Sequence, residues 1–250
     1  AYIINQITDR DADRASGKLF LISHGIISLP AAWSEVSALA VLSVGSAALL
    51  LPRDYLYILL AGAALGAAYS LEPLRLKRRP VLDVLANAVA NGVLNTLAGW
   101  VAIGAPLEGI SVLAPYPLAV AAVHLSTTLA DIDGDRACGL RTSGVALGRR
   151  TGISVSTFLM GGAFAVAVMT ENTPALYGSI ISLLFFVIVS MSERRKETGT
   201  GILLPAKIST LAFSLAAGVL FPAYIPTLAA VIILTRLYYM RRFGIRYPAL

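Results

Sequence analysis

The chain has 250 residues, 57% of them hydrophobic and only 14% charged, with a mean hydropathy of +0.76; a soluble domain carries about 25% charged and about 45–50% apolar residues, so an ordinary soluble enzyme is excluded. A single cysteine, Cys138, excludes a disulfide scaffold within the chain, and the apolar share excludes a disordered or collagen-like one. The net charge of +6 comes from Lys and Arg scattered between apolar runs, which reads as membrane topology and not as a nucleic-acid footprint.

In chain order, residues 1–9 read as a helical fragment. AYIINQ resembles the tail of a helix that starts upstream, and polar and acidic residues occupy the place of a signal-peptide core. Apolar runs follow near 29–51, 54–71, 81–104, 112–130, 151–170, 174–192, 202–221 and 223–240. At about 1.5 Å per residue, each is long enough for a hydrocarbon core of about 30 Å. Pro30, Pro52, Pro80, Pro115, Pro174 and Pro222 sit at or near segment ends, where a missing backbone donor is tolerated. No run alternates as a membrane barrel strand does. The expected fold class is all-α: a polytopic transmembrane helical bundle with eight spans, forming one domain over 1–250.

Basic residues fall in alternate loops: Arg10, Arg14 and Lys18; Arg75, Lys77, Arg78 and Arg79; Arg136, Arg141, Arg149 and Arg150; Arg194, Arg195 and Lys196; Arg241, Arg242 and Arg246. The intervening loops hold only Arg53. The positive-inside rule places the basic loops in the cytoplasm and the protein in the cell membrane.

Six of the fourteen acidic residues lie in two short windows, Asp9, Asp11 and Asp13, then Asp131, Asp133 and Asp135. Asn5, Asp9 and Asp13 recur at four-residue steps, one face of a helix, and Asp131 and Asp135 share that step. Gly134 is expected to break the helix between the last two and put Asp135 in a loop. Each cluster ends an apolar run, where crowded carboxylates repel one another and are pushed toward protonation. A divalent cation relieves that cost. Mg²⁺ takes oxygen ligands and is commonly completed by substrate phosphate, so facing aspartate clusters suit a metal–diphosphate site. The alternative for each cluster is a solvated helix cap.

Between them lies YSLEPLRLKRRP, residues 69–80. Pro73 favours an extended or turned backbone, and Arg75 and Lys77 point the same way if the segment is extended. There Arg75 would fork phosphate oxygens while Lys77 acts as a compact charge; alone, the run is a topology signal. Asp83, Asn87, Asn91 and Asn95 then form a polar stripe at four-residue steps. Cavity lining is favoured over interhelical bonding for Asn87 and Asn91. His124, seven residues before Asp131, is expected to be packed and hydrogen-bonded. YYMRRFGIRYP reads as an interfacial belt touching membrane lipid.

Asn5-x-x-x-Asp9-x-x-x-Asp13, then Tyr69-Ser70-x-x-Pro73-x-Arg75-x-Lys77, then Asp131-x-x-x-Asp135 with Gly139 and Thr142, resembles the UbiA superfamily of intramembrane prenyltransferases. The resemblance implies a helical bundle around a central cavity capped by cytoplasmic loops. It implies Mg²⁺ and an isoprenyl diphosphate as cofactor and donor, with Asn5, Asp9, Asp13, Asp131 and Asp135 toward the metal. Arg75, Lys77 and, more weakly, Lys18 would contact the diphosphate, and Tyr69 would lie near the reacting allylic carbon. Asp9, Asp131, Asp135 and Tyr69 would then be the catalytic set. Asp11 and Asp133 lie off the four-residue pattern. Two departures stand out. The family core has nine spans, the first of them before the Asn-rich motif and absent here, and KLFLISHGIIS replaces an Arg-Pro-Leu-rich stretch. The acceptor is expected to be hydrophobic, an aromatic quinone precursor or a lipid. A cation-coupled transporter is the rival from another class, with acids expected near the midplane. A CDP-alcohol head-group transferase would need a signature that DIDGDRACGLRTSG lacks.

Overall fold

The computed structural model describes residues 2–15, 21–194 and 201–244, and among these the chain is helical without strands. Two short helices open it, α1 (Tyr2–Thr8) and α2 (Arg10–Ala15). Asp9 sits at their junction, but Asp9 N–H donates to the Asn5 carbonyl at 3.0 Å and Asp13 N–H to the Asp9 carbonyl at 2.8 Å. The four-residue register therefore survives, and Asn5, Asp9 and Asp13 share one face.

Helix α3 (Leu29–Leu50) starts at Ser28, whose hydroxyl accepts from Ala31 N–H, with Pro30 in the first turn. Pro52 precedes α4 (Arg53–Ser70). Then come α5 (Leu82–Asn87), a π-helical turn (Ala88–Leu94) and α6 (Asn95–Ala102), continuous as one rod. A 3₁₀ stretch, Leu107–Leu113, leads into α7 (Pro115–Ala130), followed by the short α8 (Ile132–Ala137). Thr142 caps α9 (Ser143–Met169), which bends at Gly148. The last three are α10 (Thr173–Arg194), α11 (Leu204–Leu220) and α12 (Tyr224–Phe243).

Every expected apolar segment forms a helix, and the eight differ in how fully they meet the length and hydropathy of a span. Among the described residues, five helices are long and apolar enough to cross a membrane: Leu29–Leu50, Leu82–Ala102, Glu108–Ala130, Ser143–Met169 and Thr173–Glu193. Arg53 and Asp54 dilute α4, α11 is only 17 residues long, and Arg236, Arg241 and Arg242 dilute α12. Gly134 does not break the chain as expected. It lies inside α8, where Asp135 N–H donates to the Asp131 carbonyl at 2.8 Å, so both carboxylates keep helical spacing.

The core runs along α7, α9, α10 and α11, each packed on the next. Leu129, Ile153, Met160 and Phe186 are fully buried there among Ala119, Ala122 and Ala163, and Leu125 packs on the other side of α7 with Val84 and Ala88. In hydrocarbon, apolar burial does not drive helices together, so close packing by small residues must. A Cβ on Gly144 of α9 would lie 2.4 Å from the Thr128 carbonyl oxygen of α7. One on Gly92, in the π turn, would lie 2.4 Å from Pro117 Cα. Outward residues such as Leu49, Phe158, Met169 and Val219 are exposed, as lipid-facing side chains should be. The tight α7–α9 contact brings the last turn of α7 beside the first turn of α9, and the site is built at that end.

Candidate active site

Asn5, Asp9 and Asp13 from the N-terminal helices, Tyr69 from the end of α4, Lys77 from the following loop, and Asp131 and Asp135 from the α7–α8 junction all line one cavity of about 210 Å³. Residues more than a hundred positions apart thus face one small volume. Asp83, Arg78, His124, Thr127, Thr128 and Thr142 also line it.

The loop after α4 carries the positive charge, though not in the extended form expected of it. Arg75 has φ +38°, in the left-handed region, and Leu76–Arg78 forms a 3₁₀ turn. A left-handed non-glycine residue costs roughly 1–3 kcal/mol unless its surroundings hold it, and here the Arg75 side chain is held at several points. Its Nη2 donates to the Thr8 carbonyl at 3.2 Å and lies 3.6 Å from Asp9 Oδ1, while Nη1 bonds Glu72 at 3.0 Å. Lys77 Nζ donates to Asp9 Oδ2 at 2.7 Å, Asn5 Oδ1 at 2.9 Å and Thr8 Oγ1 at 2.7 Å. Ser70 Oγ donates to the same Asn5 oxygen at 3.4 Å. Both cations therefore converge on the first motif through the turn. Burial pushes the Lys77 ammonium below its ordinary value, against the Asp9 carboxylate, which holds it up.

At the second motif Asp131 ends α7, and Thr142 Oγ1 donates to Asp135 Oδ2 at 2.8 Å while accepting from Val145 N–H at 3.4 Å. The carboxylates off the four-residue pattern face outward. Asp11 pairs with Arg10 at 2.9 Å, which holds its carboxyl below the usual range, and Asp133 pairs with Arg149 at 3.0 Å.

The asparagine stripe forms a ladder. Asn95 Nδ2 donates to Asn91 Oδ1 and Asn91 Nδ2 to Asn87 Oδ1, both at 3.1 Å. Each four-residue step rotates about 40° in an α-helix; the wider π turn offsets that drift and keeps the amides in line. Asn87 Nδ2 lies 3.2 Å from both the Asp83 carbonyl and His124 Nε2. The carbonyl can only accept, so this nitrogen is the donor, His124 Nε2 accepts and the imidazole proton sits on Nδ1. The His124 ring meets Tyr69 edge-on, centroids 6.5 Å apart. Asn87 thus stands behind the cavity wall, and Asn91 is exposed further along the rod. Lys18 lies outside the described residues.

Residues 1–211 match the UbiA prenyltransferase family. The chain belongs to that family. Its fold is similar to a UbiA homolog from Archaeoglobus fulgidus bound to GPP and Mg²⁺, with a TM-score of 0.65 and 22% identity over 87% of this chain and 81% of that one. A lycopene elongase/hydratase of Halobacterium salinarum is 32% identical over 150 residues, 59% of this chain and 52% of the relative. A digeranylgeranylglyceryl phosphate synthase of the same species is 31% identical over 66% of this chain and 58% of its own length. The chain therefore spans little more than half of these curated relatives.

Among the described residues, no three His, Cys, Asp or Glu side chains stand close enough to hold a metal by themselves. The two motifs nevertheless offer a hard cation amide and carboxylate oxygens from two sides of the cavity, and the buried Arg75 Nε near Asp9 lacks a hydrogen-bond partner. This fits Mg²⁺ completed by phosphate oxygens and not a cage built by protein alone. Sequence reasoning missed Arg78, Thr127 and Thr128 as wall residues. They carry no signal beyond ordinary loop and helix positions, and only packing turns them inward.

Proposed function

We propose that the protein transfers a prenyl group from an isoprenyl diphosphate to a lipid-soluble acceptor, an aromatic quinone precursor or a lipid, and releases diphosphate. The observation that carries this reading is the single cavity onto which both aspartate motifs and Lys77 open. Asn5, Asp9, Asp13, Asp131 and Asp135 would hold Mg²⁺ with the diphosphate. When bound, the metal neutralises phosphate charge and improves the leaving group.

The chain's own residues supply the rest. Lys77 and Arg75 turn from Asp9 and Thr8 toward phosphate oxygens, adding positive charge where negative charge builds as the C–O bond breaks. Tyr69, at the end of α4, offers a ring face to the allylic carbon as it becomes positive. Prenyl transfer would require the surrounding apolar helices to keep water from that carbon and to admit a long donor tail and an apolar acceptor from the lipid. Relatives named for lycopene elongation or hydration and for digeranylgeranylglyceryl phosphate synthesis support an acceptor of this solubility. The acids sit at helix ends and not at midspan, against the geometry of a cation-coupled transporter. The basic loops at this end support a site that faces the cytoplasm.

The test is the full chain in lipid nanodiscs with geranyl or geranylgeranyl diphosphate, Mg²⁺ and a panel of hydroxybenzoate, naphthoate, carotenoid and glycerol-phosphate lipid acceptors. Products are read by mass and diphosphate by coupled assay. Product from at least one pair, lost with EDTA and restored by Mg²⁺, is expected. Neither product nor diphosphate release from any pair would overturn the assignment.

A further inference from the structure

We propose that Asp83 and Ser143 form a clamp that sets the spacing between the two motif-bearing ends of the cavity, so that Asp83 is a positioning residue for diphosphate binding. This rests on the prenyl-transfer reading above. Asp83 is 1% exposed, in the first turn of α5, and both its carboxylate oxygens are engaged. Oδ2 accepts the Ser143 backbone N–H at 2.7 Å. Oδ1 accepts the Ser143 hydroxyl and, at 2.8 Å, the Val84 N–H. The Ser143 hydroxyl oxygen in turn accepts Val81 N–H at 2.7 Å.

Three features make this more than a helix cap. First, it crosses the fold: Asp83 belongs to the start of α5 and Ser143 to the start of α9, sixty residues on. Secondly, each partner adjoins one half of the site. Ser143 follows Thr142, whose hydroxyl bonds Asp135. Val81 ends the loop that carries Arg75 and Lys77, both engaged with Asp9. The path Asp9–Lys77–loop–Val81–Ser143–Thr142–Asp135 runs from one motif to the other, and Asp83 holds the Ser143 at its middle by two hydrogen bonds. Thirdly, Val81 has φ +70°. A β-branched residue in that region is a genuine outlier that persists only when its surroundings over-determine it. The clamp holds Val81 from its N–H side, and the loop stays set so that its cations reach the first motif.

The cost of loosening such a support falls on the geometry of the groups it holds, typically a 10–100-fold loss of affinity or activity. The test uses Asp83→Asn, which sets an amide donor against one of the Ser143 donors, and Ser143→Ala, which is milder because the backbone N–H bond remains. Cys138 is the chain's only cysteine, is exposed, and follows α8 closely after Asp135. A second cysteine placed by Leu74→Cys, half-exposed beside Arg75, allows paired spin labels across the site. In nanodiscs both clamp variants are expected to shift or broaden the label distance. Asp83→Asn is also expected to raise KM for geranyl diphosphate about tenfold and Ser143→Ala about threefold, each with kcat within about twofold. A merely structural role would lower the amount of active protein at unchanged KM. An unchanged distance distribution, or an unchanged KM in folded variants, overturns the clamp. If the unsubstituted chain neither binds nor turns over geranyl diphosphate, the prenyl-transfer reading fails, and the distance distribution alone then decides the clamp.

Discussion

Replacing Lys77 by Met keeps the length of the side chain and removes its charge from the centre of the first motif. The ammonium lies 2.7 Å from Asp9 Oδ2, with side-chain exposures of 10% and 21% for the pair. At an effective dielectric of about 20, the attraction at that separation is about 6 kcal/mol, and withdrawal of both ions from water returns several kcal/mol of it. Removing one partner of a buried pair typically costs about 3–5 kcal/mol. Arg75, 3.6 Å from Asp9, still offsets part of the stranded charge. A loss of about 2–3 kcal/mol is therefore expected, a fall in Tm of about 4–12 °C for a chain of this size. A charge-assisted hydrogen bond to phosphate contributes about 1.5–3 kcal/mol, so affinity for geranyl diphosphate with Mg²⁺ should fall roughly 10–150-fold. Thermal unfolding in nanodiscs and calorimetric titration read the two effects separately. A Lys77→Met protein with the stability and diphosphate affinity of the unsubstituted chain would refute both the Lys77–Asp9 pairing energy and the phosphate contact.

Asp131→Asn is expected to lower turnover at least a hundredfold while Tm changes by no more than a few degrees, because the residue is exposed to the cavity and not buried in the core; retained turnover in purified protein would count against the metal–diphosphate reading. Gly144→Ala pushes a Cβ to 2.4 Å from the Thr128 carbonyl, so α9 must move off α7. A destabilisation of about 1–3 kcal/mol follows, read by thermal unfolding, and a neutral result would show that the α7–α9 contact is loose. Only two histidines occur in the chain. Nitrogen-15 shifts of labelled His in nanodiscs should show one ring with its proton on Nδ1, and Asn87→Leu should remove that preference; a His124 proton on Nε2 would contradict the amide ladder.

Much of this protein was legible in neighbouring residues. Apolar runs and bounding prolines located the helices, because both depend on local chain physics. The four-residue spacing of Asn5, Asp9 and Asp13 survived a break between two helices, since the hydrogen-bond register continued through it. Other local rules were overridden. Gly134 was outweighed by the i to i−4 bond between Asp135 and Asp131. Arg75 and Lys77 reached a common target through a left-handed residue and a 3₁₀ turn, not through an extended strand, because contacts with Asp9 and Thr8 outweigh the backbone cost. Arg53 and Asp54, and the arginines of α12, lower the summed hydropathy of two helices whose segment boundaries match the apolar runs.

Composition, periodicity and charge alternation determined on their own that the chain is a helical membrane protein with acidic motifs at helix ends, because those properties act over a few residues or over the whole chain. Only the packed structure decided that Asp9, Lys77, Asp131 and Asp135 open onto one cavity, that Asp83 is tied to Ser143 and that His124 meets Tyr69. Those outcomes depend on how closely α7 and α9 approach across Gly144, a separation between distant segments that no local spacing encodes.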